Sequence, residues 1–467
     1  MLSHISRDKT FYRTLFALSW PLILQNLIGN SLGMLDTFMV GGLGESALSG
    51  VAIANTMFMF ATLANFGFQS GCVILISQYW GKGDKATINR ILGIGFAMSG
   101  ALSVLFALGL IFFSHQIFSV MTADAELVRI ASEYSRVAAF SILFNSVAMI
   151  YIAAQRSMGN TVMGLVILCS SLALNTALNW LLIYGHLGFS KMGVAGAALA
   201  TFISRAVQLA LAAVFAARDE RFILDFRYLL RPGYIILKDF VRYSLPVLLN
   251  EVFWSVGFTV YSIIFGHMPN AASGIAAYTL TQTIERLFSA FYFGVGFSAG
   301  VLVGRPLGAG KTEEARTAGV STLVVSILLG AASGFVLVCA TFLFIIPILY
   351  PMLGIAGETA TAGKYMLVIC SADMMFKAFN FTNIVGVLRG GGDARGGMML
   401  DICAMYLFAL PLTALAGIVF RASFVVVYLA LSLEEFVKSF AGYWRFSQKK
   451  WLRNVTREVP ALQPDVN

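Results

Sequence analysis

Long apolar runs, broken by short charged or glycine-bearing stretches, follow one another along almost the whole chain. Reading runs against breaks gives twelve segments, roughly 14–40, 50–78, 91–116, 133–155, 161–184, 193–217, 241–266, 274–304, 316–350, 363–388, 397–420 and 422–444. A bilayer crossing takes about 20 mostly apolar residues, and each run is long enough. Hydrocarbon offers no water to backbone N–H and C=O groups, so such runs close on themselves as helices. A membrane β-barrel would need alternating strands of about 10 residues, which these unbroken runs exclude. The pattern predicts an all-α integral membrane protein with twelve transmembrane helices.

Composition agrees with the pattern. Of 467 residues, 58% are hydrophobic and 12% charged, whereas a soluble chain carries about 25% charged residues. Lys+Arg outnumber Asp+Glu by 32 to 23. In a membrane protein such an excess gathers in cytoplasmic loops, and nucleic acid is not an expected partner. The basic residues fall mostly on one side, in the two tails and the loops around Lys82, Arg156, Arg218–Arg242, Lys311 and Arg389. The other side holds Arg129, Arg136, Lys191, Lys364 and Arg421. Both termini are therefore expected in the cytoplasm, consistent with an even number of spans. The apolar run from Leu15 to about Val40 exceeds a signal-peptide core of about 7–15 residues. It is expected to remain as the first helix of a multi-pass plasma (inner) membrane protein. The five cysteines lie in apolar runs without metal-ligand spacing and the four histidines form no cluster, so haem or zinc chemistry is disfavoured.

The chain also repeats itself. Ser19-Trp20-Pro21 recurs as Ser244-Leu245-Pro246, and Ala47-x-x-Gly50 as Ala271-x-x-Gly274. Gly81-Lys82-Gly83 recurs as Gly308-Ala309-Gly310, and Arg156-Ser157-Met158-Gly159 as Arg389-Gly390-Gly391-Gly392. Four matches in order at a nearly constant offset imply two halves of six spans. An even number per half gives both the same orientation, related by a pseudo-two-fold axis along the membrane normal. The expected organisation is an N-lobe at 1–217, a cytoplasmic linker at 218–240, a C-lobe at 241–445 and a cytoplasmic tail at 446–467. Two such lobes suit alternating access by rocking.

Ionisable residues inside spans cost at least a few kcal/mol on insertion scales and mark functional interiors. Asp36 shares one face of the first helix with Gln25, Gly29 and Gly33, flanked by Asn26, Asn30 and Thr37. Ser171, Asn175 and Asn179 form a polar stripe in the fifth span, and Thr201 with Ser204 another in the sixth. Carboxylate, amide and hydroxyl oxygens suit a hard cation, so Na⁺ is a candidate ligand of Asp36, Asn175, Asn179 and Thr201. The same acid could instead carry a proton. Stripes of this kind also serve simply to hydrogen-bond helices together. In the second half Glu251 lies with Ser255 and Ser262, and Glu285 shares a face with Tyr278, Gln282 and Ser289. Glu285 is a candidate for ion or proton coupling, with a structural link to an arginine such as Arg286 as the competing reading. Asp373 and Lys377 form an i,i+4 pair, and Arg205 is unexplained by pattern. Aromatic residues near the acids, among them Trp254, Phe288 and Tyr292, suit flat organic cations through cation–π attraction. With Gln25, Asn30, Tyr278 and Gln282 they make up a candidate substrate cleft.

Over about residues 10–445 the chain resembles the multidrug and toxic compound extrusion (MATE) transporters. The likeness is carried by Trp20-Pro21 through Leu35-Asp36-Thr37, Gly42-x-Gly44, Gly81-x-Gly83, Asn175-x-x-x-Asn179 and Gly196-Ala197-Ala198-Leu199-Ala200-Thr201. In the second half it rests on Leu245-Pro246, Glu251 and Leu388-Arg389-Gly390. The resemblance implies twelve helices in two six-helix lobes and export of amphipathic, often cationic, organic compounds in exchange for H⁺ or Na⁺. It strengthens the reading of Asp36, Asn175, Asn179, Thr201 and Glu251 as coupling residues. No cofactor and a functional monomer are expected. Many relatives carry an aspartate where Asn179 stands, and another branch carries one at the position aligned with Ala378, where the nearest acid here is Asp373.

Other classes fit less well. A flippase for lipid-linked sugars shares the two-lobe plan but would favour a cationic cleft. The intramembrane acids Asp36, Glu251, Glu285, Asp373 and Asp401 outnumber the bases Arg205, Arg286 and Lys377. A membrane enzyme would want a His/Asp or Ser/His cluster at the interface. Gly308-Ala309-Gly310-Lys311 lacks the spacing of a phosphate loop, which excludes an ATP-driven pump.

Overall fold

The computed structural model describes residues 4–458; the first three residues and the end of the expected tail, 459–467, lie outside the described residues. All twelve predicted runs are helical, and no strand occurs among the described residues. The first three spans are α1 (Lys9–Gly41), α2 (Glu45–Lys82) and α3 (Lys85–Met121). The fourth is two helices, α4 (Ala125–Ala138) and α5 (Ser141–Ser157), which meet at 50°. Then come α6 (Thr161–Tyr184), α7 (Gly193–Arg218), the short α8 (Phe226–Leu230), α9 (Tyr234–Gly266) and α10 (Ala271–Gly308). The ninth span joins α11 (Thr312–Ala340), a π-helical stretch Thr341–Leu349 and α12 (Tyr350–Met352). The tenth is α13 (Gly357–Phe381) continued by π turns over Thr382–Leu388. In the eleventh, α14 (Ala394–Cys403) and α15 (Leu410–Ala414) alternate with π stretches, and the twelfth is α16 (Phe424–Ser447). Pro347 and Pro411, in or beside π stretches, have no N–H to give. The hydrogen-bond ladder there shifts register.

Two expectations change. A single fourth span at 133–155 is instead a bent pair that begins earlier, at Ala125, and α4 has one charged and one buried side. Arg129 bridges Glu126 and Glu133 at 2.7 Å each on its exposed side, while Val128, Ala131, Tyr134 and Ala138 are buried. The linker at 218–240 is also partly helical: it contains α8, and α9 already begins at Tyr234, burying Ile236 and Phe240.

The chain forms two compact units. Unit 1 contains the chain through Ile23 together with Leu249–Val455, and unit 2 contains Leu24–Leu248 and the residues from Thr456. The expected lobes divide at the linker; the units instead divide within α1 and α9, just after Pro21 and Pro246. Each of these prolines interrupts its helix's hydrogen-bond ladder, and both belong to the repeated Ser-x-Pro motif. Unit 2 packs one core around Ala54, Leu110, Phe118 and Ile183, and unit 1 one around Leu337, Met374, Val427 and Tyr428. Large side chains such as Leu105, Phe112 and Leu343 are exposed, on helices long and apolar enough to cross a membrane.

The repeat is visible in the backbone. Gly83 and Gly310 end α2 and α10 in the left-handed region at φ 83° and 77°. In each case the next N–H reaches back five residues, Asp84 to Tyr79 O at 3.0 Å and Lys311 to Pro306 O at 2.8 Å. Gly159 and Gly392 (φ 82° and 86°) do the same after the fifth-helix and tenth-span ends, with Asn160 N to Gln155 O and Asp393 N to Leu388 O both 2.8 Å. These are paired Schellman endings, and a side chain at the glycine would be strained.

Past α16 the chain stays on the protein. Trp451 is 1% exposed, stacks on Phe446 with ring centroids 5.1 Å apart and donates from Nε1 to Phe446 O at 3.0 Å. Its ring covers Gly319 and Gly391. In unit 2, Arg457 Nε pairs with Asp239 at 2.8 Å, and Tyr79 Oη accepts from the Arg457 N–H at 3.0 Å.

Inside unit 1, glycine lets backbones touch. A Cβ on Gly390 would lie 2.7 Å from the Gly300 backbone, whereas one on Gly109, in unit 2, meets nothing within 4 Å. Close helix contacts of this kind depend on small residues. Gly390→Ala should cost about 1–3 kcal/mol as overpacking, read as a lower melting temperature in detergent, while Gly109→Ala should melt no lower than wild type.

Candidate functional site

Six helices of unit 2 surround a cavity of about 210 Å³. Asp36 from α1, Asn145 from α5, Asn175 from α6, and Thr201 and Arg205 from α7 reach its wall, together with Tyr134 from α4. Gly33 opens the space beside Asp36, since a Cβ there would meet nothing within 4 Å. Asp36 Oδ1 accepts a hydrogen bond from Asn179 Nδ2. The same nitrogen lies 3.5 Å from Asn175 Oδ1, and Asn179 Oδ1 is buried with no partner. Tyr134 Oη and Thr201 Oγ1 are 3.4 Å apart. The polar positions singled out on three separate spans are thus brought to one place.

Arg205 shares this cavity. Among the described residues no carboxylate lies within 4.0 Å of it, and its Nη1 donates to Gln208 Oε1 at 2.7 Å. Gln208 is itself fixed: its Nε2 donates to Asn145 Oδ1 at 3.3 Å, and Ser171 Oγ donates to Gln208 Oε1 at 3.4 Å and to Ser204 O at 2.9 Å. The cavity therefore carries one carboxylate and one guanidinium that do not cancel each other by direct contact.

Unit 1 arranges its charges differently. Lys377 sits 2.7 Å from Glu285 and 3.5 Å from Asp373. The Asp373–Lys377 pair expected along one helix is therefore looser than a pair across two, and Glu285 is neutralised by Lys377. Lys438 is shared by three carboxylates, Glu434 and Glu435 at 3.0 Å and Asp401 at 3.4 Å. Asn380, one turn beyond Lys377, donates to Glu435 Oε2 at 2.8 Å, and Tyr261 Oη donates to Glu434 at 3.2 Å. Glu251 lies 3.4 Å from Arg389, and its neighbour Asn250 donates to Asp401 at 3.2 Å. The second oxygen of Glu285 is buried without a hydrogen-bond partner.

The residues expected to form a substrate cleft are divided between the two units, and Tyr278 and Tyr292 stand near Glu285 and Lys377 in unit 1. In unit 2, Gln25 and Asn30 are half-buried on α1, and the Gln25 Oε1 has no partner. In unit 1, Gln282 donates to Tyr278 Oη at 2.8 Å, and Phe288 packs on the core. Trp254 is 42% exposed and packs on Phe258. Tyr292 is 3% exposed inside the core, edge-on to Phe293 and Phe381, because its ring falls on the packed side of α10. The sequence pattern puts Arg389 in a loop and does not single out Glu434, Glu435, Lys438, Asn145 or Gln208. The i,i+3 and i,i+4 spacing of Glu434, Glu435 and Lys438 was the available signal.

The sequence profile of the MatE family matches residues 21–181 and 246–415, more than half of the chain. The chain belongs to the MATE family of transporters, and its fold is the twelve-helix fold of that family. Solved structures agree in fold. A MOP superfamily transporter from Pyrococcus furiosus, described as having a binding pocket of reverse polarity that suggests a different function, is similar with a TM-score of 0.85 and 19% identity over 95% of this chain and 98% of that one. The Vibrio cholerae MATE transporter VcmN in its bent form gives 0.83 and 18% over 94% and 97%. The eukaryotic MATE transporter AtDTX14 gives 0.82 and 19% over 95% and 97%.

Breaking a buried ion pair from one side leaves an uncompensated charge, at about 3–5 kcal/mol. Lys438→Met strands three carboxylates and should lower the melting temperature of the detergent-purified protein strongly. Glu434→Gln leaves Lys438 two acidic partners and should cost clearly less.

Proposed function

We propose that the protein is a secondary active antiporter that exports small amphipathic, often cationic, organic compounds in exchange for H⁺ or Na⁺ by alternating access. The observation that carries this reading is Asp36, a carboxylate on the wall of a cavity among membrane-spanning helices, held by one amide and with no base within 4.0 Å among the described residues. Such a group can take up and give back an ion, and each bound ligand shifts the access equilibrium by its differential affinity for the two states. Asn175, Asn179 and Thr201 supply the neighbouring oxygens, and Glu251 with Arg389 is a second coupling group. Of the two ions the proton suits the cavity better. Na⁺ seeks several oxygens and brings a charge, which the Arg205 guanidinium opposes, whereas a proton joins the carboxylate itself. We place the protein in the plasma (inner) membrane with both termini cytoplasmic, working as a monomer without a cofactor.

Dye transport into inside-out vesicles tests the reading, with the pH and Na⁺ gradients collapsed separately. Collapse of the pH gradient should abolish transport. Asp36→Asn and Glu251→Gln should each lower coupled transport about tenfold, within the usual range of coupling free energies, with expression near normal. Wild-type transport by both variants would remove the site assignment, and indifference to both gradients would remove antiport. Movement of a lipid-linked sugar instead of dyes would favour a flippase.

A further inference from the structure

Arg205 has no role in the scheme above beyond opposing a cation, yet its placement is costly. It lies near the middle of α7 (Gly193–Arg218), at the depth where a guanidinium costs at least a few kcal/mol. Such groups normally meet a carboxylate, and here none comes within 4.0 Å among the described residues. A guanidinium has five N–H donors. One bonds to Gln208 at 2.7 Å, and no nitrogen of Arg205 is both buried and unpaired. The remaining donors are thus not sealed into the packing, and Arg205 is one of the residues that line the cavity. The group is also held in place, since Gln208 is 0% exposed and is gripped by Asn145 and Ser171. A fixed planar fork with free donors is the form of group that recognises a carboxylate or phosphate.

We infer that this cavity takes an organic zwitterion, with its carboxylate on Arg205 and its cationic group toward Asp36. Charge decides among the anions. A phosphate dianion would leave net negative charge beside Asp36, whereas a carboxylate balances Arg205 and an ammonium on the same molecule balances Asp36. Leu32, Phe58 and Leu172 on the wall offer apolar surface to the body of the ligand. The volume, about 210 Å³, exceeds the roughly 150 Å³ that already admits benzene, so a single-ring compound fits. Arg205 and Asp36 are thus both specificity-determining, and Gln208 is a positioning residue for Arg205. The inference rests on the proposed transport function only in taking the cavity as open to solutes.

Calorimetry on the full-length protein in nanodiscs tests it with three matched probes: para-(aminomethyl)benzoate, its methyl ester, which is only cationic, and its N-acetyl derivative, which is only anionic. The zwitterion should bind wild type roughly tenfold more tightly than either analogue, as a charge-assisted hydrogen-bonded pair would give. Arg205→Gln should erase the preference over the ester and keep that over the N-acetyl compound; Asp36→Asn should do the reverse. The inference is overturned if wild type binds the ester as tightly as the zwitterion, if it binds none of the three, or if Arg205→Gln keeps both preferences. The wild-type ranking needs no variant to fold. Failure of antiport would appear separately, as dye transport indifferent to ion gradients with the probe ranking intact.

Discussion

A charge among membrane helices has to be answered by a partner within a few ångströms, because the medium screens almost nothing. That requirement organises both units. In unit 1 it is met by ammonium groups shared among acids: Lys377 serves Glu285 and Asp373, and Lys438 serves Glu434, Glu435 and Asp401. Four helices, α10, α13, α14 and α16, contribute to these contacts, so the charges act as ties between helices. In unit 2 the same requirement is met by neutral amides. Asp36 is held by Asn179 and Arg205 by Gln208, and the space between remains available to a third party. One unit has closed its charges on each other; the other has kept two of opposite sign facing a cavity.

The repeated sequence motifs acquire physical meaning in this frame. Their glycines end equivalent helices by the same left-handed turn, and their prolines stand just ahead of the points at which α1 and α9 pass from one compact unit to the other. A boundary drawn from charge and composition falls in the basic segment after α7. The boundary drawn by packing falls inside two long helices, because a proline in a ladder frees the next turn to pack elsewhere.

Much of the fold was legible from apolar runs alone, since a helix long enough to cross hydrocarbon has few alternatives. The bend at Ala139 was not, because neither proline nor glycine marks it; only the charge pairs of α4 hint that this helix lies with one side in polar surroundings. In the candidate site, Asp36, Asn175, Asn179 and Thr201 could be read from polar residues at helical spacing, and they do converge. Gln208 and Asn145 could not, because an amide inside a span looks the same whether it braces a neighbouring helix or a charged side chain. Lys438 was hidden for another reason. A cation one turn from two acids reads as a helix-surface pair, and only tertiary packing adds Asp401.

The seating of Trp451 gives the protein a built-in optical reporter. Of its six tryptophans, Trp20, Trp180, Trp254 and Trp444 are 42–64% exposed and Trp80 is intermediate. Only Trp451 is fully enclosed, against Phe446 and two glycines. Its emission belongs at the blue edge of the indole range and out of reach of aqueous quenchers. Displacement of the segment after α16 would then register as a red shift, without any label.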